Sequence, residues 1–455
     1  MARRQAFFVG VSRGRFGLLA VLYALVLCYA MTVPSPLGFA PRDISFEQAL
    51  QTLLDVRYVE LGSDQQADWM ANLLALVPLG FMLTIALTPR WRRVDQVLGA
   101  IGALVLCVAY VLGVKFAQVF FPRTVDLNYI IAQTIGAALG VVVGLAGRGA
   151  VEAAAARLRR RGPESLVVVL AAASAGILAF MLVPFDFTLT PADVVARLDA
   201  LPGLLFQVPG ADRPGAMRAG MLAAGMVGVM PIGMLLALLQ PYRSLALIAV
   251  QALLLMTAVT GAAMFVMSAS PSLLNIPARS VFVVLGAVLL RWLRLHDIGR
   301  RRGLVRALLL LLIPPYLLAL VLVNGLLPPQ WRGFDAALAS IDPRFFIPLW
   351  THYIVTKAQA TRSELAQIAI YAPVGVFLWA AGCSGRRCPW IAAGLALLLS
   401  SAVEYARWMK PGQGLDINNP PIAAAAAALA ALATPFLWDV LRSLAVSRPR
   451  SFAAR

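Results

Sequence analysis

Charge is what this chain has least of: only 13% of its 455 residues are Asp, Glu, Lys or Arg, where a soluble domain carries roughly 25%. Hydrophobic residues make up 60% and the mean hydropathy is +0.81. A soluble core does not grow without limit, so this much apolar surface has to be covered by lipid. Histidine is almost missing, with His296 and His352 far apart in sequence, which argues against a histidine-built metal site. The four cysteines add little: Cys28 and Cys107 lie inside apolar runs as packing residues, and Cys383 and Cys388 flank a short basic turn with no second pair beside them. No Ser/His, metal or nucleotide signature is present, and no cofactor is expected. The basic N-terminus and the apolar run from Phe16 to Val33 resemble a signal sequence, but no A-x-A-like cleavage site follows. An uncleaved first helix is expected.

The charge that is present sums to +18. Its arrangement argues against nucleic acid, because the basic residues form short clusters between apolar runs and leave no continuous basic face. Runs of about 20 residues match roughly 30 Å of hydrocarbon. Twelve such runs are expected, centred near Leu25, Leu79, Leu106, Ala138, Ala175, Val229, Leu254, Leu285, Leu317, Val374, Leu397 and Ala428. With both termini in the cytoplasm, the inner segments hold 25 of the 39 Lys and Arg, and 16 of the 21 acidic residues lie outside. The Lys/Arg excess is the informative half of that count. The expected fold is therefore an all-α, polytopic transmembrane bundle, N-in and C-in, with its long loops on the outer side.

Three landmarks recur along the chain. Each presumed unit has a proline after its first helix (Pro34, Pro184, Pro328) and a Pro-x-Gly within its second helix: Pro78 and Gly80, Pro231 and Gly233, Pro373 and Gly375. Before the fourth helix a polar residue follows an apolar one, at Asp126, Asn275 and Asp416 by sequence spacing. These landmarks divide the chain into four-helix units at 1–160, 161–300 and 301–455, the middle one degenerate. Four spans is an even number, so the copies are parallel, unlike the inverted repeats of many transporters. Amphipathic stretches such as Phe46–Leu54 and Ala192–Leu198 in the outer loops fit helices lying along the membrane or packing on their own bundle.

Polar groups at membrane depth are expensive and mark either a site or a helix contact. In the first unit Asp68 and Asn72 share one face, Lys115 and Gln118 end the third helix, Arg123 and Asp126 occupy the next turn, and Gln133 follows two turns deeper before Gly136. Pro78 interrupts helix hydrogen bonding and Gly80 permits close approach. The third unit offers Glu404, Arg407 and Asp416, whereas the middle unit has Met221 and Gly225 where the first has Asp68 and Asn72. Such a cluster suits a polar or phosphate headgroup. Interfacial charges pairing with one another and with water are the plainer reading.

The pattern Asp68-x3-Asn72-x5-Pro78-Leu-Gly80-Phe81, followed by Gln118-x4-Arg123-x2-Asp126-x6-Gln133-x2-Gly136, resembles the VanZ-like family of bacterial membrane proteins. Lys115 stands where that family has Glu, Gln133 where it has Asn, and in the third unit Glu404 restores the acid while Arg407 replaces the Gln. The resemblance implies a cell-envelope membrane protein, the namesake being linked to teicoplanin (glycopeptide) resistance, with no established reaction. Three readings stand side by side. One is a non-enzymatic protein that engages membrane lipids or a lipid-linked envelope precursor, the second a transporter or flippase, and the third an intramembrane enzyme using Asp68 and Asp126.

Overall fold

Apolar runs in lipid fold as helices, because only a helix satisfies every backbone polar group within its own segment. The computed structural model describes residues 2–32, 42–59, 63–88, 93–121, 125–183, 187, 191–206, 222–223, 225–266, 269, 271–296, 301–326, 331–340, 342, 346–348, 350, 357–411 and 415–446. Among these residues the chain is all-α, with no strand. Among the described residues eleven helices are long and apolar enough to cross a membrane, and no more than 39% of the most apolar stretch of any of them is buried inside the protein. The remaining apolar surface needs lipid around it, so the chain is a multi-pass membrane protein.

By contact density the chain forms two compact units. The first, Met1–Ala153 with two short later pieces, contains α1 (Ala2–Thr32), α2 (Phe46–Leu54), α3 (Ser63–Leu87), α4 (Arg93–Val119) and most of α5 (Leu127–Arg160). The second contains α6 (Pro163–Phe180), α7 (Pro191–Leu204), α8 (Met230–Leu239), α9 (Leu245–Met264) and α10 (Asn275–Leu295). It continues through α11 (Arg302–Leu311), α12 (Ile313–Val323), α13 (Phe334–Leu338), α14 (Lys357–Ala380), α15 (Cys388–Trp408) and α16 (Asn419–Val446).

Of the twelve runs expected from sequence, the one centred on Val229 differs. Its apolar helix reaches only from Gly225 to Leu239 among the described residues, and it is broken at Gly228 and Val229. The turn there closes by shorter bonds, Val229 N–H to Met226 O and Ile232 N–H to Val229 O, beside Pro231, which has no N–H to give. Pro78 and Pro373 sit inside unbroken helices. The Ala-rich run near Ala428 and the short run near Leu285 are both full spans, Asn419–Ser443 and Asn275–Leu295.

Glycines set how closely helices approach. A Cβ on Gly80 would strike the carbonyl of Ala137, one on Gly233 that of Val283, and one on Gly375 that of Ala427. In return Gly136 and Gly140 of α5 lie against the carbonyls of Leu73 and Val77, and Gly286 of α10 against that of Met230. Helix pairs α3/α5, α8/α10 and α14/α16 are therefore backbone-to-backbone contacts made possible by missing side chains. The pairings rise together along both chains (Leu73 with Gly136, Val77 with Gly140), so α3 and α5 run parallel.

The turn before each last helix recurs as well. Tyr129 N–H donates to Asp126 O at 3.2 Å, Asn275 N–H to Ser272 O at 3.1 Å, and Asn419 N–H to Asp416 O at 3.4 Å. This register corrects the spacing read from sequence. Ser272 occupies the place of Asp126, and Asn275 comes three residues later, at the place of Tyr129. The apolar-then-polar pattern at Leu274 and Asn275 imitates Val125 and Asp126, but backbone hydrogen bonding decides the match.

Candidate functional site

In the first compact unit the polar residues gather at the end of the bundle where α3 and α5 begin and α4 finishes. The opposite end belongs to arginines. Arg13 donates from Nε and Nη2 to the carbonyls of Ala86 and Leu87, each at 3.2 Å, and Arg148 donates to Thr88 O and Oγ1. Both cations satisfy the carbonyls left unpaired at the end of α3, where a helix carries its partial negative charge.

At the polar end two layers are distinct. The deeper layer is made of amides. Gln133, 1% exposed, donates from Nε2 to Asn72 Oδ1 at 2.7 Å, and Asn72 Nδ2 donates to Asp68 O at 2.8 Å. Gln118 donates to Met31 O at 2.7 Å, tying α4 to α1, and accepts from Lys115 Nζ at 3.1 Å. Lys115 is buried and stands 5.6 Å from the centre of the Tyr129 ring, a cation–π contact. Asp68 and Asp126 both lie within electrostatic reach of that tyrosine. Tyr129, which sequence reasoning passed over, is thus the ring that the buried lysine faces. One buried acceptor, Gln133 Oε1, has no hydrogen-bond partner among the described residues.

The outer layer is a cleft of about 490 Å³ lined by Arg42, Thr52, Asp55, Val56, Arg57, Val59, Val119, Val125 and Asp126. Its wall is built by α2 and the segment after it. Ser45 caps α2, with a reciprocal bond from its own N–H to Gln48 Oε1 at 3.0 Å, the capping-box arrangement. Phe46 packs edge-on to Phe116 with ring centres 5.1 Å apart, and Ala49 is fully buried. The strand of chain on either side of α2 is tied down: Arg42 N–H donates to Phe120 O at 2.6 Å, and Leu127 N–H to Arg57 O at 3.3 Å. Asn128, 1% exposed, grips Val59 by both backbone groups, accepting from its N–H at 3.0 Å and donating to its carbonyl. The two guanidinium-bearing residues are therefore held by their backbones while their side chains stay exposed.

Of the residues singled out in sequence, this unit brings together Asp68, Asn72, Lys115, Gln118, Asp126 and Gln133. It divides them, however, with the amides and lysine buried as cross-ties and Asp126 in the open cleft. Arg123 lies outside the described residues. Arg42, Thr52, Asp55 and Arg57 were missed, because a loop residue becomes a lining residue only once backbone bonds fold the loop back over the helix ends.

In the second compact unit Glu404 is 3% exposed and fully engaged. It accepts from Arg407 Nη1 at 2.7 Å, Asn419 Nδ2 at 2.8 Å and Asp416 N–H at 3.1 Å. Asp416 in turn accepts from Asn418 N–H and Nδ2 at 3.0 and 2.9 Å. Arg332 donates from Nε and Nη2 to Trp408 O at 3.0 and 2.7 Å. Glu404, Arg407 and Asp416 therefore meet as sequence spacing implied, but as a closed internal network. Among the described residues no group of three or more His, Cys, Asp or Glu is placed to hold a metal ion.

No curated protein and no solved structure matches the chain. Residues 20–147 match the family model described as VanZ/LLP1. That stretch holds the four spans α1, α3, α4 and most of α5, together with both polar layers. Over this segment the chain, a multi-pass membrane protein, is similar to the VanZ/LLP1 family.

Proposed function

We propose that this protein engages an envelope lipid or a lipid-linked precursor by its polar headgroup at the outer leaflet, without catalysing a reaction on it. The observation that carries the reading is the cleft beneath α2, where Arg42 and Arg57 stand with Asp55, Thr52 and Asp126. Guanidinium groups suit a phosphate, since their planar donors match its oxygens two at a time. Carboxylates and a hydroxyl beside them suit the hydroxyl or amine groups of the rest of a headgroup. The cleft ends a bundle whose sides are apolar, so acyl chains can stay in hydrocarbon while the headgroup enters.

The location at the outer leaflet is supported by charge. Lys and Arg concentrate at the opposite helix ends, the cytoplasmic side by the positive-inside rule. The amide layer supports binding over chemistry, since Lys115, Gln118, Asn72 and Gln133 are occupied with one another. The test is lipid binding by the purified protein in detergent, measured by native mass spectrometry with lipids that share acyl chains and differ in headgroup. Headgroup-dependent binding is expected, weakened about tenfold or more by Arg57→Ala or Asp126→Ala, as for loss of a charge-assisted hydrogen bond. Binding that ignores headgroup, or that survives Arg42→Ala, Arg57→Ala, Arg123→Ala and Asp126→Ala, ends the proposal.

A further inference from the structure

Several arginines near the basic helix ends are occupied by the protein itself. Arg13 and Arg148 hold the last carbonyls of α3, Arg157 pairs with Glu164, Arg161 pairs with Asp439, and Arg291 donates to Arg243 O. Two arginines of α11 are not. Among the described residues the guanidiniums of Arg302 and Arg306 have no hydrogen-bond or ion-pair partner, and Arg306 Nε is buried in that state.

What they face is aromatic. Their guanidinium carbons lie 5.4 Å (Arg302) and 5.2 Å (Arg306) from the centre of the Trp379 ring, in the last turn of α14. Trp379 is 2% exposed and stacks on Trp438 of α16 with ring centres 5.4 Å apart, while Val305 and Leu309 of α11 pack against the pair. The ring's own Nε1 is buried without a partner as well. One ring thus holds two cations, which stand about one helical turn apart on a shared face of α11.

The end of α14 has no need of these arginines, because it closes itself. Gly382, at φ +100°, brings its own N–H to Trp379 O at 3.1 Å and the Cys383 N–H to Leu378 O at 2.9 Å. Two like charges on one ring repel each other, and the carboxylate next to Trp438 in sequence, Asp439, is taken by Arg161 at 2.7 Å. An anion between the guanidiniums relieves that repulsion, and their planar donors match the oxygens of a phosphate. The surroundings favour a lipid as its carrier. Arg302 opens the span Arg302–Val323, whose most apolar stretch is only 6% buried. Leu304, Leu308 and Leu311 of α11 are exposed, a surface on which acyl chains can lie.

We infer that Arg302 and Arg306, held on Trp379, bind the phosphate of an anionic phospholipid whose chains lie along α11. By the positive-inside rule this end faces the cytoplasmic leaflet, where basic pockets beside transmembrane helices meet anionic headgroups. The site lies wholly within the second compact unit and shares no residue with the cleft beneath α2, so failure of either leaves the other standing.

The experiment is hydrogen–deuterium exchange of the full chain in detergent, read over residues 302–309, whose first amides lack partners within the helix. Phosphatidylglycerol, phosphatidylcholine with the same acyl chains, and inorganic phosphate are added separately. Phosphatidylglycerol is expected to slow exchange there about tenfold, and the other two to have little effect. Joint substitution Arg302→Gln and Arg306→Gln is expected to abolish the protection, and Arg306→Lys to keep part of it. Arg301→Gln removes an exposed neighbouring charge outside the stack and is expected to keep all of it. The inference is overturned if phosphatidylglycerol gives no protection, or if phosphatidylcholine or inorganic phosphate protects equally well. It is overturned too if the double Gln variant stays protected, or if Arg301→Gln loses as much protection as Arg306→Gln, which would reduce the effect to diffuse charge.

Discussion

At the scale of single residues, the molecule is held by absences and by amides. Gly80, Gly233 and Gly375 each lie where a Cβ would run into a carbonyl of the neighbouring helix. A methyl group there has no flexible neighbour to displace, so Gly80→Ala, Gly233→Ala and Gly375→Ala are each expected to destabilise by about 1–3 kcal/mol. Gly102→Ala meets nothing within 4 Å and is the neutral control. Thermal midpoints in detergent check this, and equal midpoints for Gly80→Ala and Gly102→Ala would refute the packing account. Asn128 is the second case, since it holds both backbone groups of Val59. Asn128→Ala should cost about 1–3 kcal/mol by leaving buried groups unsatisfied, and should speed proteolysis or amide exchange across residues 55–59. Unchanged exchange there would mean that the strap is held by something else.

Among the elements, α2 and α8 are informative because propensity and tertiary contacts act on them differently. Phe46–Leu54 is amphipathic in sequence, and the capping box at Ser45 and Gln48 marks its start. Ser45→Ala is expected to fray α2 by about 1 kcal/mol, loosening the cleft wall while the transmembrane helices stay unchanged. Amide exchange confined to residues 45–50 is the signature, and loss of the whole fold would contradict it. The break before Pro231 offers the opposite test. Pro231→Ala supplies the missing N–H, so residues 225–239 are expected to close into one continuous helix, seen as slower exchange at residues 228–231. Persistence of the break in that variant would show that packing against α10, and not the proline, imposes it.

For the whole molecule, the decisive property is parity. Each four-span stretch returns the chain to the side from which it started, so the turns at Asp126 and Asp416 are expected on the same side of the membrane. Cysteines placed at 126 and 416 in a cysteine-free background should both react with an impermeant thiol reagent from outside, and one at 148 should not. Opposite labelling of 126 and 416 would overturn the topology and the outer-leaflet reading together. Much of this level was legible in sequence, because hydrocarbon selects for length and hydropathy, and those are local properties. Even the short run near Leu285 and the Ala-rich run near Ala428 are full helices on that ground alone. The site was only half legible. Asp68, Asn72 and Gln133 converge as helical spacing implies, whereas Arg42 and Arg57 enter only through backbone bonds to Phe120 and Leu127, partners about 70 or more residues away that leave no periodic trace.

Composition and hydropathy by themselves determined that this chain crosses a membrane as helices, and its short motifs carried the likeness to the VanZ/LLP1 family over residues 20–147. Tertiary structure alone decided which polar groups are cross-ties and which are open. It also decided that Ser272 stands in the place of Asp126. The reason is that solvation by lipid acts on each segment separately, while register between helices is settled by glycine-to-carbonyl contacts and turn hydrogen bonds that join residues distant in sequence.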